Sequence, residues 1–208
     1  MSPSKIEKLL LWSGFVAAIL YFGNAFGIGA IEPNYSHIRQ MVSELGMAHA
    51  SHPALFNTIA VLSGAMFFAT GTGFYLAIKR LTGRRVLSVF AGVFVGLFGM
   101  NGIFAGAFPA PDPRHTAFGV GLFTFFVPWL MAWGFWKFHA ARLANMLQLV
   151  AGFVIIGILV FQIGLFGFVD KTNIGLFQRI AVSVFDFWLL ATCYWLLTWR
   201  QNTPTVTA

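Results

Sequence analysis

The sequence predicts an all-α polytopic membrane protein, a bundle of six transmembrane helices, on three observations. The 208 residues are 58% hydrophobic and only 9% charged. Their mean hydropathy is +0.79, which is not the composition of a water-soluble domain. Apolar runs of roughly 20 residues, enough to cross ~30 Å of hydrocarbon, recur along the whole length, and the short links between them hold most of the Lys and Arg. Residues 1–208 therefore read as a single membrane domain. The net charge of +7 does not imply nucleic acid, because no basic run with interleaved stacking residues lies outside the spans.

The spans are expected at about Leu9–Ala30, Leu55–Ile78, Val86–Ala107, Thr116–Phe138, Met146–Val169 and Leu176–Trp199. Lys5 and Lys8 precede the first, as in a signal peptide, but its apolar core exceeds the usual ~7–15 residues. It reads as a retained helix. Between the first two spans, Ile38, Met41, Val42 and Leu45 recur at helical spacing before Gly46. That pattern predicts a short amphipathic helix over about 36–45, started by Ser36 and lying on the membrane surface or over the bundle. His37, Gln40 and Glu44 would occupy its polar side, with Ser43 at their edge. In the third span Gly92, Gly96, Gly99, Gly102 and Gly106 line one helical face. This is a groove for close helix packing, not a phosphate loop, which needs a preceding strand and a following lysine. The only cysteine, Cys193, falls in the last span and excludes an internal disulfide.

Placing the N-terminus inside puts nine basic residues on the inner side: Lys5, Lys8, Lys79, Arg80, Arg84, Arg85, Lys137, Arg142 and Arg200. Only Arg39, Arg114, Lys171 and Arg179, four in all, then lie outside, so an N-in/C-in topology is expected. Glu32, Glu44, Asp112 and Asp170 fall outside, with His37, His49, His52 and His115. The polar span residues Asn24, Asn57, Asn101 and Gln162 are expected in the outer half of the bundle, with Asp186 near mid-depth. Polar groups at that depth face other helices or a wet cavity. Interhelical hydrogen bonding explains a single Asn; several at one level suggest a polar pocket opening outward.

The link "FPAPDPRH", Phe108 to His115, carries three alternating prolines that forbid helix and favour extended geometry. Asp112 before Pro113 reads as an N-cap starting the fourth span. The same geometry would set His115 one turn away and point both side chains at the outer mouth.

"YSHIRQMVSELG", the proline-aspartate link with its following His, and "GLFQR" opening the sixth span occur in this order. Together they resemble the prokaryotic membrane-protein family of domain of unknown function 998, over nearly the whole chain. The resemblance implies a prokaryotic inner-membrane location and singles out Tyr35, Ser36, Ser43, Glu44, Leu45, Gly46, Phe108, Pro109, Asp112, His115, Gln178 and Arg179. Asn57 is similar to a polar position near the start of the family's second span. The family's link is closer to Phe-Pro-x-Asp, whereas here an extra residue separates Pro109 from Asp112. The resemblance implies a fold and a site, but no activity.

Three kinds of function follow. An enzyme would use Asp112, His115 and Glu44 as acid/base groups, Ser43 as nucleophile, and Arg179 with Gln178, Asn57, Asn101, Asn24, Asp186 and His37 to hold a lipid-like or amphiphilic small molecule. A proton- or ion-coupled transporter would use Asp186. A structural or partner-binding subunit would use the outer charges as an ion-pair network. Arg179 and Asp186 share a helix face at a separation of ~10 Å along the axis. Arg179 is expected to meet Glu44 or Asp112, and Asp186 to meet Asn24, Asn101 or Gln162. Membrane lipids are the expected surroundings. No cofactor is expected: nucleotide fingerprints are missing, the histidines lie in or beside loops rather than facing one another as haem ligands, and the spacing of His37, His115 and the carboxylates matches no zinc signature.

Overall fold

The computed structural model describes residues 2–138, 141–162 and 167–199. His139 and Arg200, and the side chain of Gln162, lie outside the described residues. The described residues are helical with no strand. Six helices are long and apolar enough to cross a membrane: α1 (Lys5–Ile31), α2 (Pro53–Thr82), α3 (Arg85–Ala107), α4 (Ala117–Phe135), α5 (Arg142–Gln162) and α6 (Ile174–Thr198). The chain is an integral, multi-pass membrane protein. The 32–52 and 108–116 segments share one side of the bundle, here the loop face, and the N-terminus and the α2–α3 turn share the other, the terminal face. Gly83, at φ 69°, supplies the left-handed residue that ends α2 there, a conformation open to glycine at little cost.

Large apolar side chains such as Leu9, Ile19, Val86, Phe153 and Phe187 are exposed around the bundle. They suit a hydrocarbon surround, while Leu11, Phe74, Phe135, Phe185 and Leu189 fill the centre. The tightest joint is α2 against α3. A methyl group on Gly64 would sit 2.6 Å from the Gly99 carbonyl oxygen, and one on Gly71 would sit 2.5 Å from that of Gly92. The glycine stripe of α3 is thus a helix-packing face, answered by two glycines of α2 that the sequence reading passed over.

On the terminal face the Arg80 guanidinium donates to the Glu7 carboxylate at 2.7 and 3.0 Å and to the Leu196 carbonyl at 3.2 Å. This pair, almost wholly buried, joins α1, α2 and α6. Removing one partner of such a pair costs about 3–5 kcal/mol, because the other charge stays buried.

Polar groups do not all gather at the loop-face level. Gln148 donates to Thr192 at 3.0 Å and accepts from the Trp188 indole at 2.7 Å, and Asn145 donates to the Phe135 carbonyl at 2.7 Å. Both sit in the terminal half, where the sequence reading did not count them. The expected helix over 36–45 is also replaced, by one turn around Ser36–Gln40 and a short 3-10 helix, Val42–Gly46. Nor does Asp112 start α4. Thr116 precedes a 3-10 segment, Ala117–Phe126, that gives way to α-helix at Val127–Phe135. Ala117, Phe118 and Gly119 all have positive φ, so the chain turns sharply within the first residues of α4.

Candidate functional site

The 32–52 segment forms a roof over the loop face, and its backbone bonding explains why no helix forms there. In a helix, His37 and Ile38 would accept from Met41 and Val42. Instead the His37 and Gln40 carbonyls accept from Arg179 at 2.8 and 2.9 Å, and the Ile38 carbonyl accepts from the Leu176 amide at 2.9 Å. The Met41 amide donates to Glu44 Oε1 at 2.8 Å, and the Val42 amide to Gln178 Oε1 at 2.7 Å. Bonds to α6 have replaced the helical ladder. Gly175 completes the joint, since any side chain there would collide with the Gln40 backbone. "GLFQR" is therefore one half of a clamp and "YSHIRQM" is the other.

Arg179 is the centre of that clamp. It is 5% exposed and also donates to the Tyr35 hydroxyl at 2.5 Å and to the Gly175 carbonyl at 2.9 Å. Phe26 and Tyr35 present ring faces 5.9 and 5.5 Å away. Neither Glu44 nor Asp112 is its partner, contrary to expectation: three carbonyls, a phenol and aromatic faces stabilise the guanidinium. Burial raises the Tyr35 phenol above its ordinary value, against the pull of the Arg179 bond. Burial, then Arg179, lowers the His37 imidazole.

Glu44 is a structural cap. Its Oε2 accepts from Gln40 Nε2 at 3.2 Å while Oε1 holds the Met41 amide, the pattern of a capping box. Asn57 donates to the Gly46 carbonyl at 2.9 Å, docking the 3-10 helix onto the start of α2. Glu32 holds the other end of the roof through the Ser51 amide at 3.0 Å. In the proline link, Asp112 accepts from the Arg114 amide at 2.8 Å and pairs with its guanidinium at 2.7 and 3.0 Å. Those bonds hold its carboxyl at about 2, so this surface pair persists until the pH falls toward that value. Asp112 closes a turn and does not face the mouth.

Beneath the roof lies a cavity of about 360 Å³, bounded by α1, α2, α3, α6 and the proline link. Asn24, Ser43, Asn101, His115 and Gln178, all expected at the site, line it. Glu44, Asp112, Arg179, Asn57, His37 and Asp186 do not line it. The wall is mainly apolar, with Phe56, Phe67, Phe98 and Val182 prominent. Tyr21 and Ser63 also line it and were missed by the sequence reading; Tyr21 lies one turn before Asn24, a spacing that places both on one face.

Two polar groups are set for recognition. The His115 Nδ1 lies 2.9 Å from the Phe108 carbonyl. That oxygen only accepts, so Nδ1 carries the proton and a neutral ring keeps Nε2 as an acceptor. Asn24 opens a π-helical turn of α1, Gly23–Ile28, a distortion frequent at functional sites. It donates to the Phe56 carbonyl at 2.9 Å, while its Oδ1, buried, has no partner among the described residues. Asp186 is 0% exposed and both of its oxygens are unpartnered among the described residues; it bonds to neither Asn24 nor Asn101.

The sequence model of the family described as "Protein of unknown function (DUF998)" matches residues 15–195. No curated protein and no solved structure matches the chain.

Proposed function

The chain belongs to the DUF998 family, and from that premise we propose that it binds an amphiphilic, lipid-like small molecule in the cavity beneath the roof. The observation that carries this reading is an apolar cavity lined by Asn24, whose buried Oδ1 has no partner among the described residues. Such a group costs roughly 1–3 kcal/mol unless something donates to it, and apolar walls with a few convergent polar groups are typical of small-molecule sites. Asn101 and His115 supply further contacts from α3 and the proline link. Binding is favoured over hydrolysis because the carboxylates expected to act as acids or bases, Glu44 and Asp112, are occupied in a cap and a surface pair. The protein is expected to co-purify with an amphiphile visible by native mass spectrometry. Val182→Trp, which fills the cavity, should remove that mass while leaving a folded protein. Equal occupancy in the folded variant would reject the site.

The cavity opens away from the cytoplasm of a prokaryotic plasma membrane. The excess of Lys and Arg on the terminal face supports this orientation. A cysteine placed at His49, in a chain whose Cys193 is replaced by Ala, should react with a membrane-impermeant maleimide on intact cells, and one placed at Gly83 should not. The reverse pattern would invert the orientation.

A further inference from the structure

Asp186 is the acid the binding site leaves unused. It is fully buried, neither oxygen has a partner among the described residues, and it follows by four residues Val182, which lines the cavity. Four residues of helix advance ~6 Å, so Asp186 lies one turn beneath that wall. Across the α1–α6 joint, the Phe22 and Phe187 rings are 6.1 Å apart, which sets Asp186 level with the Tyr21–Asn24 turn of α1. Tyr21 lines the cavity and lies within electrostatic reach of Asp186.

Just beneath the cavity lining there are therefore three buried oxygens without a donor among the described residues: both of Asp186, which does not itself line the cavity, and the Oδ1 of Asn24, which belongs to a lining residue. All accept and none donates. A primary ammonium fits this set, with one positive charge and three N–H donors. Its charge offsets that of the carboxylate, which alone would be expensive in a membrane bundle. The Phe67, Phe98 and Tyr21 rings that line the cavity suit the apolar body and the cation alike.

We infer that the ligand is a lipophilic amine whose ammonium group passes beneath the cavity lining to donate to Asp186 and Asn24. This rests on the binding reading above and names the ligand class. The acid enters binding with its proton, because an unpaired carboxylate at this depth is expensive. Binding then exchanges that proton, released to water, for the ammonium, with no change in buried charge. Tyr21 on α1 lies within electrostatic reach of Asp186; its own helix also carries Arg179, Cys193 and the exposed Tyr194, and the roof carries Tyr35. The titratable residues of α2, α3 and α5 (Tyr75, Lys79, Arg80, Arg85 and Arg142) lie toward the terminal face, and α4 has none.

The full chain in zwitterionic nanodiscs, titrated calorimetrically with dodecylamine and with dodecanol against empty nanodiscs, tests this. The amine should bind about tenfold tighter than the alcohol. Because a proton is released on binding, its affinity should fall as the pH is lowered within the range where the amine stays charged, and calorimetry in buffers of differing ionisation heat should register that release. Asp186→Asn should bind amine and alcohol alike, with no pH slope. Equal binding of amine and alcohol by the unaltered protein, or no proton release, overturns the amine assignment and leaves the cavity reading standing. No binding of either probe overturns both. Should Asp186→Asn fail to fold, Asn24→Val serves: a folded Asn24→Val that keeps the full amine preference overturns the proposed ammonium site.

Discussion

Arg179→Ala lowers the unfolding temperature on the order of 10 °C and exposes the 32–52 segment to limited proteolysis. The substitution strands the His37 and Gln40 carbonyls and the Tyr35 hydroxyl that the guanidinium now satisfies. Bonds to a charged donor are worth about 1.5–3 kcal/mol each. Even after relaxation the loss should reach about 3–4 kcal/mol, near the upper range for one substitution. Arg179→Lys should rescue little, because an ammonium cannot span the acceptors that the planar fork reaches together. Protease resistance and thermal stability unchanged from the parent would show that the roof is held by other means.

Gly99→Leu should prevent recovery of a monodisperse protein. A Cβ on Gly99 already falls 2.6 Å from the Gly64 carbonyl oxygen and 2.7 Å from the Phe68 Cα. These atoms belong to backbone and cannot swing aside, so α2 and α3 must part. Gly99→Ala should cost about 1–3 kcal/mol. The neighbouring Gly96 gives the internal control, because its added methyl would meet nothing nearer than the Phe68 ring, at 3.7 Å. Gly96→Ala should therefore behave like the parent in size-exclusion chromatography and thermal unfolding. If Gly99→Ala and Gly96→Ala are equally stable, the close approach of the two helices is not what holds them.

Hydropathy and glycine periodicity were enough to read the six spans and the α3 packing face, because hydrocarbon imposes both directly on composition. The site was legible only in part. Asn24, Asn101, Ser43, His115 and Gln178 do share a cavity; depth within the spans was the signal for Asn24 and Asn101, and the outer motifs for Ser43, His115 and Gln178. Glu44, Asp112 and Arg179 were misassigned for a common reason. Charged residues at one level invite pairing with one another, but each found neutral or local partners: backbone amides for Glu44, Arg114 two residues away for Asp112, and carbonyls for Arg179. No pattern within 36–45 announces that α6 will take over its hydrogen bonds. Its apolar spacing is helical, and only a partner more than a hundred residues away redirects it. The Gln148–Thr192–Trp188 cluster was missed because Gln148 stands where α5 was expected to begin, where a polar residue draws no notice.

The clamp between the roof and α6 also bears on biogenesis. Between 136 and 144 residues separate Val42 from Gln178 and Tyr35 from Arg179. Translation delivers the roof early and its fastener last. Until the sixth helix inserts, the His37, Ile38 and Gln40 carbonyls must be satisfied by water or by another conformation, including the helix that their own spacing favours. The nascent chain would thus carry an unlatched lid across the insertion of α2 to α5. Closure of the cavity then becomes a late checkpoint of assembly, passed only when the final helix has entered in the correct register.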